Sequence, residues 1–96
     1  MTVRILDPAR DEIAEAADYY DAREAGQGTR FIRAVSATFD EVAAHPQAWA
    51  EVAPGIRRRN VGGFPYAVIY QIVGNVIEVG CVMHGRRRPG YWMGRF

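Results

Sequence analysis

A histidine, three consecutive arginines and two aromatic residues stand together near the end of this chain, in His84-Gly85-Arg86-Arg87-Arg88-Pro89-Gly90-Tyr91-Trp92. Each residue type has a definite chemistry. A guanidinium presents a planar fork that grips phosphate or carboxylate through two hydrogen bonds. An imidazole titrates near neutrality and can give or take a proton. Tyrosine and tryptophan rings can stack on nucleobases. A second arginine run, Arg57-Arg58-Arg59, lies earlier in the same half of the chain. Both runs also have plainer readings, as a solvated tail and as a charged sheet edge that discourages aggregation.

The wider composition sharpens the contrast. Residues 1–51 hold ten Asp and Glu against five Arg, whereas residues 52–96 hold seven Arg against Glu78 alone. An acidic front and a basic back point to one surface that seeks an anionic partner. All twelve basic residues are arginine, and a guanidinium is a poor proton acceptor. With 96 residues, 49% of them apolar, one domain with one modest core is expected over 1–96, with residues 85–96 as its tail. No apolar run approaches the roughly 20 residues of a membrane span, and the N-terminus lacks a secretory pattern. The single Cys81 suits a reducing cytoplasm, and His45 and His84 stand too far apart for a metal-ligand motif. Neither a metal nor a cofactor is called for.

The elements that must position these residues can be read from periodicity. Thr2 to Leu6 reads as a strand, after which Asp7 offers an N-cap and Pro8 the first helical position. Ile13, Ala16, Ala17 and Tyr20 recur with helical spacing, so an amphipathic helix runs from Pro8 to about Glu24. Its other face, with Asp11, Glu12, Glu15, Asp18 and Asp21, is expected in solvent. After Gly26-Gln27-Gly28 a second helix carries Phe31, Val35, Phe39 and Val42 on one stripe and stops at His45-Pro46, completing a helical hairpin. Residues 46–55 are expected as a loop, with Trp49 capping the core. Three strands follow: Ile56–Val61, Tyr66–Val73 and Val76–His84. Gly74-Asn75 between the last two suits a two-residue hairpin turn. The result is an α+β fold in the order β-α-α-β-β-β plus a C-terminal tail, its helical hairpin on one face of a small, mainly antiparallel sheet.

The hairpin turn sets a register, with Val73 opposite Val76. One face then carries Tyr66, Val68, Tyr70, Ile72, Ile77, Val79, Cys81 and Met83 and packs on the helices, which makes Cys81 a core residue rather than a nucleophile. The other carries Ala67, Ile69, Gln71, Val73, Val76, Glu78, Gly80 and Val82 and runs on to His84. This second face is expected to be partly open. The three arginines of 57–59 must divide between the two faces.

The chain resembles the RelE/ParE superfamily of bacterial type II toxin–antitoxin toxins over nearly its whole length, and the ParE-like branch in particular. The resemblance lies in the order of elements and in four stretches: Ala14-Glu15-Ala16-Ala17-Asp18-Tyr19-Tyr20; Ala44-His45-Pro46; Pro54-Gly55-Ile56-Arg57-Arg58; and Phe64-Pro65-Tyr66 through His84-Gly85-Arg86-Arg87. It implies a small intracellular toxin, neutralised by a cognate antitoxin that lays an extended or helical segment over it. The residues of an open sheet face, Ala67, Ile69, Gly80 and Val82, are then the candidates for antitoxin docking.

Two targets are open. Toxins similar to ParE act on DNA gyrase, and toxins similar to RelE cut mRNA on the ribosome without a metal. A ribonuclease would draw on His84, Arg86 and Tyr91, but the lysines that serve RelE-like nucleases are absent from this sequence. Glu78, the one other proton carrier expected on the face of His84, stands roughly 20 Å along the strand. The gyrase reading is therefore favoured, with Arg57, Arg58, Arg59, His84, Arg86, Arg87, Tyr91 and Trp92 as target contacts.

Overall fold

A computed structural model describes all 96 residues. The elements are β1 (Thr2–Ile5), α1 (Asp7–Arg23), α2 (Gln27–Ala44), β2 (Glu51–Ala53), β3 (Ile56–Asn60), β4 (Tyr66–Val73) and β5 (Val76–His84). The architecture is the expected one, two helices against a sheet, with one addition. Part of the loop anticipated at 46–55 forms β2, which pairs antiparallel with β3 and gives the sheet a fifth strand. The strand order is β1-β5-β4-β3-β2, open at both ends, with only β1 and β5 parallel.

The hairpin turn forms as its residues suggest. Gly74 takes φ 61°, a left-handed conformation that costs glycine little, and Val73 pairs with Val76. Helix α1 starts one residue earlier than expected: Leu6 occupies the cap position, Asp7 opens the first turn, and no side chain caps the end. The helical hairpin is tight at Gly28, whose N–H donates to Asp21 Oδ1 at 2.7 Å. A Cβ at Gly28 would lie 2.5 Å from Ala17 O, so α1 and α2 approach this closely only because that position is glycine.

The main core lies between helices and sheet. Ala9, Ala16 and Ala17 of α1 and Phe31, Val35 and Val42 of α2 pack on Val68, Tyr70, Ile77 and Val79. Trp49 rests partly buried against this cluster, as a cap should. Tyr70, fully buried, meets its polar requirement by donating its hydroxyl to Pro46 O at 2.6 Å.

The register then departs from expectation at one residue. Pairing between β4 and β5 is regular from Val73↔Val76 to Tyr70↔Val79, but Ile69 pairs with Cys81. Gly80 is an extra residue in β5, a β-bulge, and every later side chain of that strand changes face. Cys81 and Met83, expected against the helices, lie with Ile69 and Trp92 in a second cluster on the other face. Val82 turns to the helix side and joins the main core. His84, which the regular register would set level with residue 65, instead pairs with Tyr66.

The second face is not open, which corrects the expectation built on it. Residues 85–96 fold back across it through a series of turns. Trp92 is buried to 6% exposure against Ile69, Cys81 and Met83, with Tyr91 and Phe96 beside it. Truncating a buried tryptophan typically costs about 3–5 kcal/mol, so Trp92 is a principal anchor of the segment. Ala67, Ile69 and Val82 are buried to 1% exposure or less, and Gly80 lies under the Phe96 ring. These four residues do not form an exposed groove in this conformation, and Val82 does not even share the face of Ile69.

Candidate functional site: an arginine-rich end of the sheet

Strand β5 extends five residues beyond the last residue that β1 pairs, Val79, so its outer edge from Gly80 to His84 has no strand beside it. Side chains stand in for the missing strand. Glu12 of α1, expected in solvent, points inward, and its Oε1 accepts from the Val82 N–H at 3.1 Å. Arg95 donates to Gly80 O at 3.1 Å and to both Glu12 oxygens at 2.7 and 3.2 Å. This half-buried ion pair fastens the C-terminal segment to α1 and raises the already high Arg95 pKa, chiefly through the Glu12 hydrogen bond. Beside it the Cys81 thiol is pushed up to about 12, first by burial and then by the Glu12 carboxylate. A thiol so placed is not a nucleophile.

The arginine run of β3 divides as alternation requires. Arg57 and Arg59 are spent internally. Arg57 donates to Gln47 O and Trp49 O at 3.2 and 2.6 Å, and Arg59 pairs with Glu41 at 2.8 Å while lying 4.2 Å over the Trp49 ring. Arg58 pairs in register with Ile69, on the face of the C-terminal segment, and its only side-chain partner is Asn60 Oδ1 at 3.2 Å. Of the three, only Arg58 therefore remains free for an outside partner.

The end of β5 gathers the others. His84 lies edge to face with Tyr66, ring centres 5.4 Å apart, and its Nδ1 accepts the Arg86 N–H at 3.0 Å. That bond fixes the turn. Four shallow clefts surround this point. The widest, about 490 Å³, lies between Tyr19, Tyr20, Arg23 and His84. Three smaller ones bring charged groups together. One of about 240 Å³ joins His84 to Arg58 and Arg86; it contains no carboxylate. A second, about 280 Å³, lies between Arg58, Arg87 and Arg88 over an apolar floor of Ile69, Met83 and Trp92. A third, about 190 Å³, runs along α1 and brings Glu15 and Tyr19 beside Tyr66, His84 and Arg87.

Placement of the expected contacts is thus uneven. Arg58, His84, Arg86 and Arg87 come together, whereas Arg57 and Arg59 face other partners. Trp92 is buried, and Tyr91 is flanked by the guanidinium carbons of Arg87, Arg95 and Arg88 at 4.8, 5.0 and 6.0 Å. Both are therefore engaged within the chain rather than held out to stack on bases. Glu78 is also committed, accepting from Arg4 at 2.6 Å and Gln71 at 2.8 Å. Reading the sequence missed Glu15, Tyr19, Tyr66 and Arg88. Glu15 and Tyr19, four apart on α1, signal only a shared helix face; their proximity to His84 follows from how α1 lies on the sheet. Burial pushes the Tyr66 phenol up, with Tyr20 and Tyr19 adding to the effect, so it stays protonated at neutral pH.

A helical hairpin thus packs on an open five-stranded mixed sheet, with a cationic cluster where β4 begins and β5 ends. Residues 3–89 match the family described as "ParE toxin of type II toxin-antitoxin system, parDE", and the chain belongs to that family. It is a toxin of the ParE kind, and its partner is an antitoxin. No curated protein matches its sequence. Among solved structures, it is similar to a chain of the "Chromosomal ParDE TA system from P. aeruginosa", at 16% identity and a TM-score of 0.65, over 88% of this chain and 95% of that one. At that identity the likeness concerns the fold.

Proposed function

We propose that this toxin inhibits growth by acting on DNA gyrase, with the end of the sheet around Arg58, His84, Arg86 and Arg87 as its target contact. The carrying observation is the make-up of the cleft that joins His84 to Arg58 and Arg86. It holds hydrogen-bond donors but no base. His84 Nδ1 is spent on the Arg86 N–H, and Tyr66 is held protonated by burial. Phosphodiester cleavage by a 2′-hydroxyl needs a base as well as an acid and a cation. This cleft supplies the last two, which suits holding an anionic surface better than cutting it.

Ribosome-dependent mRNA cleavage is the competing reading, favoured by the one cleft that does place a carboxylate, Glu15, beside His84 and Arg87. Expression of the toxin without antitoxin separates the two. Gyrase poisoning should yield covalent gyrase–DNA complexes and DNA damage while transcripts stay whole. Cut transcripts and an immediate halt of translation would overturn the gyrase reading, and unimpaired growth would overturn both. Under the gyrase reading, His84→Ala weakens growth inhibition no more than Arg58→Ala does; selective loss of activity in His84→Ala would point to catalysis.

A further inference from the structure

Two of the carboxylate-free clefts are neighbours, and Arg58 lines both. So does Gly85. Arg58, Arg86, Arg87 and Arg88 have no carboxylate partner, whereas Arg4, Arg57, Arg59 and Arg95 each have one. The only acidic residue in this half of the chain is Glu78, already held by Arg4 and Gln71. Four guanidinium groups thus line two adjoining clefts that hold no carboxylate of their own, although Arg87 also borders Glu15 in the cleft along α1.

We infer that these joined clefts bind the phosphate backbone of a DNA strand, two phosphates bridged by Arg58, so that the toxin holds nucleic acid directly. The inference deepens the gyrase reading and rests on it, since an enzyme acting on DNA presents phosphates where a toxin lodges against it. Three features favour a polynucleotide over an acidic protein segment. Phosphates recur along a strand, and the two adjoining clefts offer two cationic subsites that share Arg58. The cationic groups are forks rather than point charges, the geometry that grips phosphate oxygens in pairs. The second cleft also lies over the buried apolar cluster of Ile69, Met83 and Trp92, which gives its arginines a firm base. The only amide in the clefts, Asn60, is engaged with Arg58, and the guanidinium groups are assigned to phosphates rather than to base edges. Binding is therefore insensitive to sequence and sensitive to salt.

The test is fluorescence anisotropy of the purified chain with labelled 20-nucleotide DNA of two unrelated sequences, at several salt concentrations. Both sequences should bind alike. With two phosphates neutralised, the log–log salt slope should be about −1.4 for a single strand. Arg87→Ala/Arg88→Ala, checked for an unchanged urea midpoint because Arg87 lies over Tyr91, should bind at least tenfold more weakly, with a slope about 0.7 shallower. Arg58→Lys, which keeps the charge but loses the fork, should also weaken binding. Arg30→Ala/Arg33→Ala, on α2, should change nothing. Absent DNA binding, or equal loss in the α2 control, overturns the inference even if gyrase poisoning in cells is intact. Loss of binding to DNA-free gyrase in Arg87→Ala/Arg88→Ala, with no affinity for DNA in the unaltered chain, would assign the clefts to an acidic protein surface. Growth inhibition through cut transcripts, with DNA binding present, would instead fail the gyrase reading and leave the phosphate site standing.

Discussion

Glu12 shows how far a single residue can depart from what its neighbours suggest. In sequence it belongs to the acidic face of α1, with Asp11 and Glu15 beside it. In the fold it reaches partners 70 and 83 positions away, the Val82 N–H and Arg95. Helical periodicity places a residue on a face but is blind to a strand edge that the face later meets. The Glu12 side chain is 15% exposed and that of Arg95 19%, so the pair is shielded enough to matter. Glu12→Ala would leave a backbone N–H and a guanidinium without their partner. A loss of about 2–3 kcal/mol is expected from the urea midpoint, below the full cost of breaking a deeply buried pair. The same variant should make Cys81 accessible to a thiol reagent at pH 8, where the native thiol, raised to about 12, is inert. Cys81 itself was legible as a core residue, although the core it joins is the second one.

Among elements, β5 holds the decisive irregularity. The turn at Gly74-Asn75, the pairing Val73↔Val76 and the helix-facing residues up to Val79 follow from alternation and turn chemistry. Beyond Gly80 the pattern inverts, because one unpaired residue shifts the strand's phase by one. An isolated glycine in an apolar run marks either a bulge or a close approach of another group. Gly80 is both, since a side chain there would overlap the Phe96 ring. Alternation alone cannot count an extra residue, so the reading placed Cys81, Met83, Val82 and His84 on the wrong faces. Gly80→Ala should force Phe96 from its seat and loosen the C-terminal segment. Overpacking of this kind costs about 1–3 kcal/mol, a fall of roughly 5–20 °C in thermal midpoint for a chain this small. Tryptophan fluorescence should report the loosening directly through Trp92.

At the scale of the whole molecule, the acidic front and basic back meet through a few ties: Arg4–Glu78, Arg59–Glu41 and Arg95–Glu12. That asymmetry was plain from composition, but the choice of which arginines are tied and which are free was not, because it depends on strand register. Gln71 and then Arg4 hold the Glu78 carboxyl below its ordinary value, joining β4, β5 and β1. A depressed carboxyl stabilises the fold fully above the unfolded value, about 4.3, and the contribution fades as pH falls through the folded value. The urea midpoint should therefore drop on acidification below about pH 4.5, and Glu78→Gln should flatten that drop. The Glu12–Arg95 pair has one more consequence, for molecules in a crowd. An apolar strand with a bare flank is a template on which identical chains extend one another's sheets. Glu12 and Arg95 occupy the Val82 N–H and the Gly80 carbonyl, two of the backbone positions such growth would need. Their presence denies those two positions to the strand of a neighbouring copy.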